Sequence, residues 1–253
     1  MNDQNKLSLD CFYKEEVTST NDALAEFCKK NEVNEFTVLL SDFQTAGKGQ
    51  RGNSWESEYG KNLLFSIAIG PTAIKAKSQF ILSILVSLSI HDVLKEYANG
   101  FSIKWPNDIY WKDKKICGVL IENELQGAYI MQSIIGIGLN LNQEVFLSSA
   151  PNPISLKQII QKDSDKMDFF EKLVQHIISY YKEIEQGGTN IEAMLYAMYL
   201  LRQYRKTGMY RYKDKNGEFM AEFVRVEPDG YLILKDENGQ IRKYAFKEVQ
   251  YII

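Results

Sequence analysis

The sequence predicts an α+β protein, with a layered main domain over residues 1–207 and a small all-β portion over residues 208–253. Three observations predict it. Strand-like runs and amphipathic helical runs are interspersed through the main part of the chain. The stretch from Lys77 to Tyr97 is apolar on nearly every side through its middle, which suits a helix packed inside layers. After Gly208 the pattern changes to short strands, Glu218–Val226, Tyr231–Lys235 and Ile241–Phe246, separated by Pro228-Asp229-Gly230 and Glu237-Asn238-Gly239, both with hairpin-turn chemistry. A β unit of roughly 45 residues is below the size that folds comfortably alone, so it is expected to dock on the main domain.

In order along the chain, Thr18-Ser19-Thr20-Asn21-Asp22 offers several N-cap candidates. Ala23, Leu24, Phe27 and Cys28 follow at helical spacing, and Lys29 and Lys30 close a helix that ends near Asn31. Phe36–Leu40 reads as a buried strand, and Asn62–Ile69 as a second one stopped by Gly70-Pro71. Strands are further expected at Phe101–Lys104, Lys115–Asn123 and Tyr129–Gly138, with a turn at Trp105-Pro106-Asn107-Asp108 because proline cannot donate to a ladder. Ser155-Leu156-Lys157-Gln158 has capping-box spacing and opens a helix. Two amphipathic helices follow, Phe169–Gln186, ended by Gly187-Gly188, and Ile191–Arg205.

The 253 residues suffice for one large domain with an appendage, and 45% hydrophobic with 25% charged residues is an ordinary globular composition. A net charge of -3 gives no sign of a nucleic-acid surface, so any cationic site must be local. Met1 to Asp10 has no apolar signal core, and the apolar run Phe80–Ile90 is too short and too rich in serine to suggest a membrane span. Cys11, Cys28 and Cys117 lack metal-ligand spacing and suit a reducing cytoplasm.

Chemistry concentrates at four places. Gln44-Thr45-Ala46-Gly47-Lys48-Gly49-Gln50-Arg51-Gly52-Asn53-Ser54-Trp55 combines glycines, which let a backbone approach a ligand closely, with two cations, and so reads as a clamp for an anion. It is not a Walker A loop, because no Gly-Lys-Ser/Thr ends it. Lys104-Trp105-Pro106-Asn107-Asp108 puts a cation, an amide and a carboxylate on one turn. There Asp108 can hold magnesium or accept from an adenine amine, and Asn107 can read a base or a ribose. Lys115 begins a strand in which Gly118 allows close approach, and Ile135–Asn142 ends a strand in glycines and amides. Each alone also fits a solvated surface feature. Together, the polar strand ends and the clamp point to a single pocket.

The ordered set Ser19-Thr20-Asn21, Gln44 to Trp55, Lys104-Trp105-Pro106-Asn107-Asp108-Ile109, Lys115 to Glu122 and Gly136-Ile137-Gly138-Leu139-Asn140 resembles the biotin protein ligases, in register over about residues 15 to 160. The resemblance implies a catalytic domain related to class II aminoacyl-tRNA synthetases, with a mixed, mainly antiparallel sheet and a C-terminal SH3-like barrel. It implies a two-step reaction: the biotin carboxylate attacks the α-phosphorus of ATP, giving biotinyl-5′-adenylate, and a lysine of a biotin carrier domain then takes the biotinyl group. Lys48, Arg51 and Lys115 are the implied catalytic cations, which hold two anions that repel each other. Ser19, Thr20, Asn21 and Gln44 are implied to bond the ureido ring, with Gly118 beside it, since an unpaired buried polar group costs about 1 to 3 kcal/mol. Lys48, Gly49, Gln50 and Lys115 are implied at the biotin carboxylate and the activated linkage. Gly47, Arg51, Asn53, Trp55, Lys104, Asn107, Asp108 and Asn140 are implied at the nucleotide, with Trp55 over adenine and Asp108 as a magnesium ligand.

Two departures stand out. Members of the family often carry arginine where this chain has Lys48 and Gln50, so two-pronged phosphate gripping is reduced. Only about seventeen residues precede Thr18, so a short form without the N-terminal DNA-binding domain is expected, and with it no repressor activity. The implied partner is the carrier domain of a biotin-dependent carboxylase in the cytoplasm, with no DNA or membrane partner and with a homodimer as an option. The alternatives are a lipoate or octanoate ligase and a non-catalytic biotin- or nucleotide-binding sensor.

Overall fold

The computed structural model describes residues 9–70, 72, 74–147, 152–187 and 190–253, and of Arg51 the backbone only. Pro71 and Gly188, expected to stop a strand and a helix, lie outside the described residues. In chain order the elements are β1 (Leu9–Val17), α1 (Thr20–Lys30), β2 (Phe36–Gln44), β3 (Leu63–Ile69), α2 (Phe80–Leu94), β4 (Phe101–Lys104) and β5 (Asp108–Trp111). They continue with β6 (Lys114–Gln126), β7 (Tyr129–Leu139), α3 (Leu156–Ile160), α4 (Lys166–Glu185) and α5 (Ile191–Leu201). The last strands are β8 (Met209–Asp214), β9 (Gly217–Val226), β10 (Leu232–Asp236), β11 (Ile241–Tyr244) and β12 (Gln250–Tyr251). The chain divides into two compact units, Met1–Ala76 with Ile116–Phe170, and Lys77–Lys115 with Glu171–Ile253.

The first unit is built on a mixed sheet in the order β1-β2-β3-β7-β6. β1 runs parallel to β2, and the other neighbours in that order are antiparallel. All seven residues of β3 are buried, as its run of six apolar residues around Ser66 demands of a central strand. α1 lies on this sheet through Leu24, which is packed with Val17, Leu39, Ala68 and Ile134, while Cys28 one turn on adds to the same cluster. The predicted capping box forms at α3: Gln158 N donates to Ser155 Oγ, and Ser155 N donates to Gln158 Oε1. At α1, Ser19 is the N-cap residue but makes no side-chain cap bond.

In the second unit α2 buries thirteen of its fifteen residues. With its lead-in turn, Ala76–Leu94 is long and apolar enough to cross a membrane by length and composition, contrary to the expectation from Phe80–Ile90 alone, yet 78% of the window is buried inside the protein. Asp92 of α2 is buried and bound by Arg202 at 3.0 Å, Lys95 at 3.1 Å and Tyr180 Oη at 2.7 Å. Burial opposes ionisation there, but these partners hold its carboxyl well below the usual range. α5 ends at Leu201, short of the expected Arg205. The chain then leaves the helix to run beside β4, with Ile103 N donating to Arg202 O and Tyr204 N to Ile103 O. The C-terminal strands form their own antiparallel sheet, β11-β10-β9-β8-β12, and Gly230 and Gly239 turn at φ of +93° and +81° where hairpins were expected.

Four strands escaped the sequence pattern. β1 is mostly exposed and shows no hydrophobic alternation, β5 follows its turn directly and has four residues, and β8 and β12 pair with each other rather than showing a pattern of their own.

Candidate functional site

The glycine-rich loop is tied down at both ends. Thr45 N and Ala46 N donate to Val17 O and Thr18 O, which seats the start of the loop beside the N-terminus of α1. Trp55 N donates to Gly47 O at 2.8 Å, Gly49 N to Asn53 O at 2.6 Å, and Lys48 bridges Ser54, so the two arms close like a narrow hairpin around a 3-10 turn at Gln50–Gly52. Gln50 Nε2 reaches Val119 O of β6 at 3.1 Å. Lys48 Nζ is paired with Asp22 Oδ1 at 2.7 Å, and that carboxylate raises the lysine pKa. Asn53 is exposed. The Trp55 ring lies against the bare backbone of Gly138: a methyl there would stand 2.5 Å from Trp55 Cε2.

Beside the loop lies a buried polar cluster. Ser19, Thr20 and Asn21 are all at most 4% exposed. Thr20 N and Thr20 Oγ1 both donate to Gln44 Oε1, at 2.8 and 3.1 Å. Asn21 Nδ2 donates to Glu122 Oε2 at 2.7 Å, and Ser66 Oγ stands 2.8 Å from Thr20 Oγ1 and 2.6 Å from Asn21 Oδ1. A methyl on Gly136 would clash with Asn21 Oδ1. Ser66, Glu122 and Asp22 were not singled out from sequence. A signal for Ser66 was present, since it is the one polar residue in an otherwise apolar strand. Gln50 and Gly118 are the predicted residues that this unit holds at β6, and Gly49 precedes Gln50 in the loop.

The second unit holds Lys104, Asn107, Asp108 and Lys115. Lys115 Nζ pairs with Asp108 Oδ2 at 2.7 Å, and Asn107 Nδ2 donates to Ser83 Oγ of α2 at 3.3 Å. The turn itself is gripped by its own unit: Trp105 Nε1 donates to Gly230 O at 2.9 Å and Tyr199 Oη to Pro106 O at 2.7 Å. Lys104 Nζ donates to Tyr110 Oη at 3.2 Å and lies 4.8 and 5.1 Å from the ring centres of Tyr110 and Tyr251.

Burial lowers the Lys104 pKa to about 8. The unfolded lysine keeps its proton to about 10.4, so between those values the unfolded state binds more protons and stability rises with pH. The stability difference between wild type and Lys104→Met should therefore shift in favour of wild type from pH 8 to about 10. The raised pKa values that burial gives Tyr110, Tyr204 and Tyr212 lower the stability of both proteins alike as pH rises further, and so drop out of the difference. A difference in Tm that stays flat across pH 7–10 would refute this account.

Asn140 is 3% exposed, and its Nδ2 donates to Ile154 O at 3.1 Å. Among the described residues its Oδ1 has no hydrogen-bond partner, which leaves one atom able to serve a ligand. Among the described residues no group of three His, Cys, Asp or Glu side chains could hold a metal. Asp108, the magnesium candidate, already faces Lys115, so the residues present do not fit a resident magnesium site. A cavity of about 630 Å³ lies elsewhere, lined by Glu56, Ser57, Glu58, Gln143, Val145 and Leu147. Among the described residues its lining has two carboxylates and no cation, unsuited to an anion, and none of these residues was predicted.

The family model for the biotin/lipoate A/B protein ligase family matches residues 13–140, from the strand before α1 to the amide that follows β7. The chain belongs to this family. Among relatives of this ligase, the bifunctional ligase/repressor BirA of Bacillus subtilis is 29% identical over 241 residues, covering 91% of this chain and 71% of that one. BirA of Escherichia coli is 32% identical over 130 residues, covering 49% of this chain and 38% of that one. Among solved structures, the biotin protein ligase of Aquifex aeolicus in complex with biotin and ATP matches the ligase at TM-score 0.78 and 26% identity, over 96% of this chain and 99% of that one.

Proposed function

We propose that this ligase joins biotin to ATP as biotinyl-5′-adenylate and then passes the biotinyl group to a lysine of the carrier domain of a biotin-dependent carboxylase. The observation that carries this reading is the buried cluster of Thr20, Asn21, Gln44 and Ser66 beside a tied loop that presents Lys48. A neutral cyclic urea bearing a carboxylate matches that pairing of uncharged hydrogen-bonding groups with a cation. The dithiolane or alkyl chain of lipoate or octanoate offers the cluster no N–H or C=O, and would leave its groups desolvated at about 1–3 kcal/mol each.

In the first step a carboxylate oxygen bonds to the α-phosphorus, the bond to the β-phosphate breaks, and pyrophosphate leaves. Lys48, Arg51 and Lys115 are assigned to offset the repulsion between the two anions. Gly47, Asn53, Trp55, Lys104, Asn107, Asp108 and Asn140 are assigned to the nucleotide, and Gly49, Gln50 and Gly118 to the activated linkage and ring. In the second step the neutral lysine amine attacks the acyl carbon and AMP leaves. Magnesium would arrive on the phosphates of ATP, as part of that substrate. Residues 1–207 are assigned as the catalytic domain, with the fold of class II aminoacyl-tRNA synthetases, and 208–253 as an SH3-like β domain. The reaction is placed in the cytoplasm, where Cys11, Cys28 and Cys117 stay thiols; a homodimer is an option.

Incubation with ATP, magnesium, biotin and a carrier domain should add one biotinyl group to one acceptor lysine by mass. Pyrophosphate exchange with lipoate or octanoate but not with biotin would overturn the assignment. Gln50→Arg should slow adenylate escape about tenfold in a stopped-flow chase, the scale of one added hydrogen bond to a charged group. An unchanged off-rate would count against a retention role for this position.

A further inference from the structure

Ser66 is fully buried in the middle of β3, where every other residue is apolar, and it faces Thr20 and Asn21. A buried hydroxyl in such a strand is costly unless it is bonded, so its position calls for an account. Thr20 Oγ1 gives its own proton to Gln44 Oε1 and can accept from Ser66. Asn21 Oδ1 can accept from Ser66 as well. Ser66 has one proton for these two acceptors, so either Thr20 Oγ1 or Asn21 Oδ1 keeps a lone pair unanswered by it.

Glu122 fixes the other end of Asn21. Its carboxylate accepts from Asn21 Nδ2 at 2.7 Å, and Leu120 O lies 3.4 Å from the same nitrogen. Turning the carboxamide over would set its carbonyl against the Glu122 carboxylate and its NH₂ against the Ser66 hydroxyl. The pair therefore holds Asn21 with its oxygen toward Ser66, and the clash a side chain at Gly136 would make keeps that space for the carboxamide.

We propose that Ser66 and Glu122 are positioning residues that hold Thr20 and Asn21 as hydrogen-bond acceptors, and so make the cluster selective for the N–H groups of a cyclic urea. This rests on the reading that Thr20 and Asn21 meet the biotin ring. Ser66 touches the recognition residues through its hydroxyl, and Glu122 acts from an exposed stretch of β6, so replacing Glu122 leaves the core intact.

The test is the Kd for biotin by titration calorimetry in the absence of ATP, alongside the KM for ATP in pyrophosphate exchange. Ser66→Ala and Glu122→Ala should each weaken biotin at least tenfold while the KM for ATP stays within twofold. Glu122→Gln, which keeps an acceptor for Asn21 Nδ2, should bind biotin nearly as wild type does. Wild-type affinity in Glu122→Ala, or a parallel loss for ATP, overturns the proposal even if Ser66→Ala is too unstable to measure. A wild-type protein that exchanges pyrophosphate but binds no biotin overturns the reading of the ring site, and this proposal with it.

Discussion

Lys115→Ala is expected to cut biotin-dependent pyrophosphate release by about 10² to 10³-fold, the scale for losing one preorganised electrostatic stabiliser. Folding should be nearly unaffected. Lys115 is ion-paired with Asp108, and their side chains are 30% and 25% exposed. Partly exposed pairs of this kind contribute about 0–1 kcal/mol, a shift of a few degrees in Tm for a chain of this size. Asp108→Asn is the companion variant: it keeps the shape of the turn and removes only the charge that Lys115 faces. If both variants lose activity equally, the lysine acts by holding Asp108 in place. If Lys115→Ala loses far more, the cation acts on the reacting anions. Near-wild-type pyrophosphate release from Lys115→Ala would remove it from the mechanism.

Gly47→Ala is expected to lower kcat/KM for both biotin and ATP by about 100-fold or more, on the scale known for small displacements of positioning groups. A methyl on Gly47 would stand 2.6 Å from Trp55 O and 3.0 Å from Gln44 Nε2. The nearer atom is backbone, in the strand arm that returns the bond Trp55 N to Gly47 O, so the collision cannot be relieved by rotating a side chain. The arms must part, which releases the pairing of Lys48 with Ser54 and shifts Gln44 away from Thr20. Because the loop is partly exposed while the sheet beneath it is not, Tm should fall far less than activity does. Unchanged kinetics in this variant would show that the closed form of the loop is not the one that works.

Much of the fold was legible because burial writes itself into local pattern. β3 and α2 are predominantly apolar in sequence and almost wholly buried in space, and both were located to within a few residues. The capping box at Ser155 and the glycine turns at 230 and 239 follow from local chemistry and formed where expected. β1 was not legible, because most of its residues face solvent and its strand character comes from pairing with β2. The end of α5 was not legible either, since the chain stops being helical in order to bond with Ile103, far away in sequence.

For the site, residue order along the chain was enough to identify the family and the chemical inventory: three cations, a polar turn at the start of α1, and glycines where backbones come close. What each of these groups touches follows from the folded arrangement. Lys48 meets Asp22, Asn21 meets Glu122 and Ser66, and Trp105 anchors its turn on Gly230. The physical reason is that glycine spacing and helix caps are set by neighbours along the chain, whereas the partner of a buried amide or an ammonium group is set by strands folded together from residues as far as 125 positions apart.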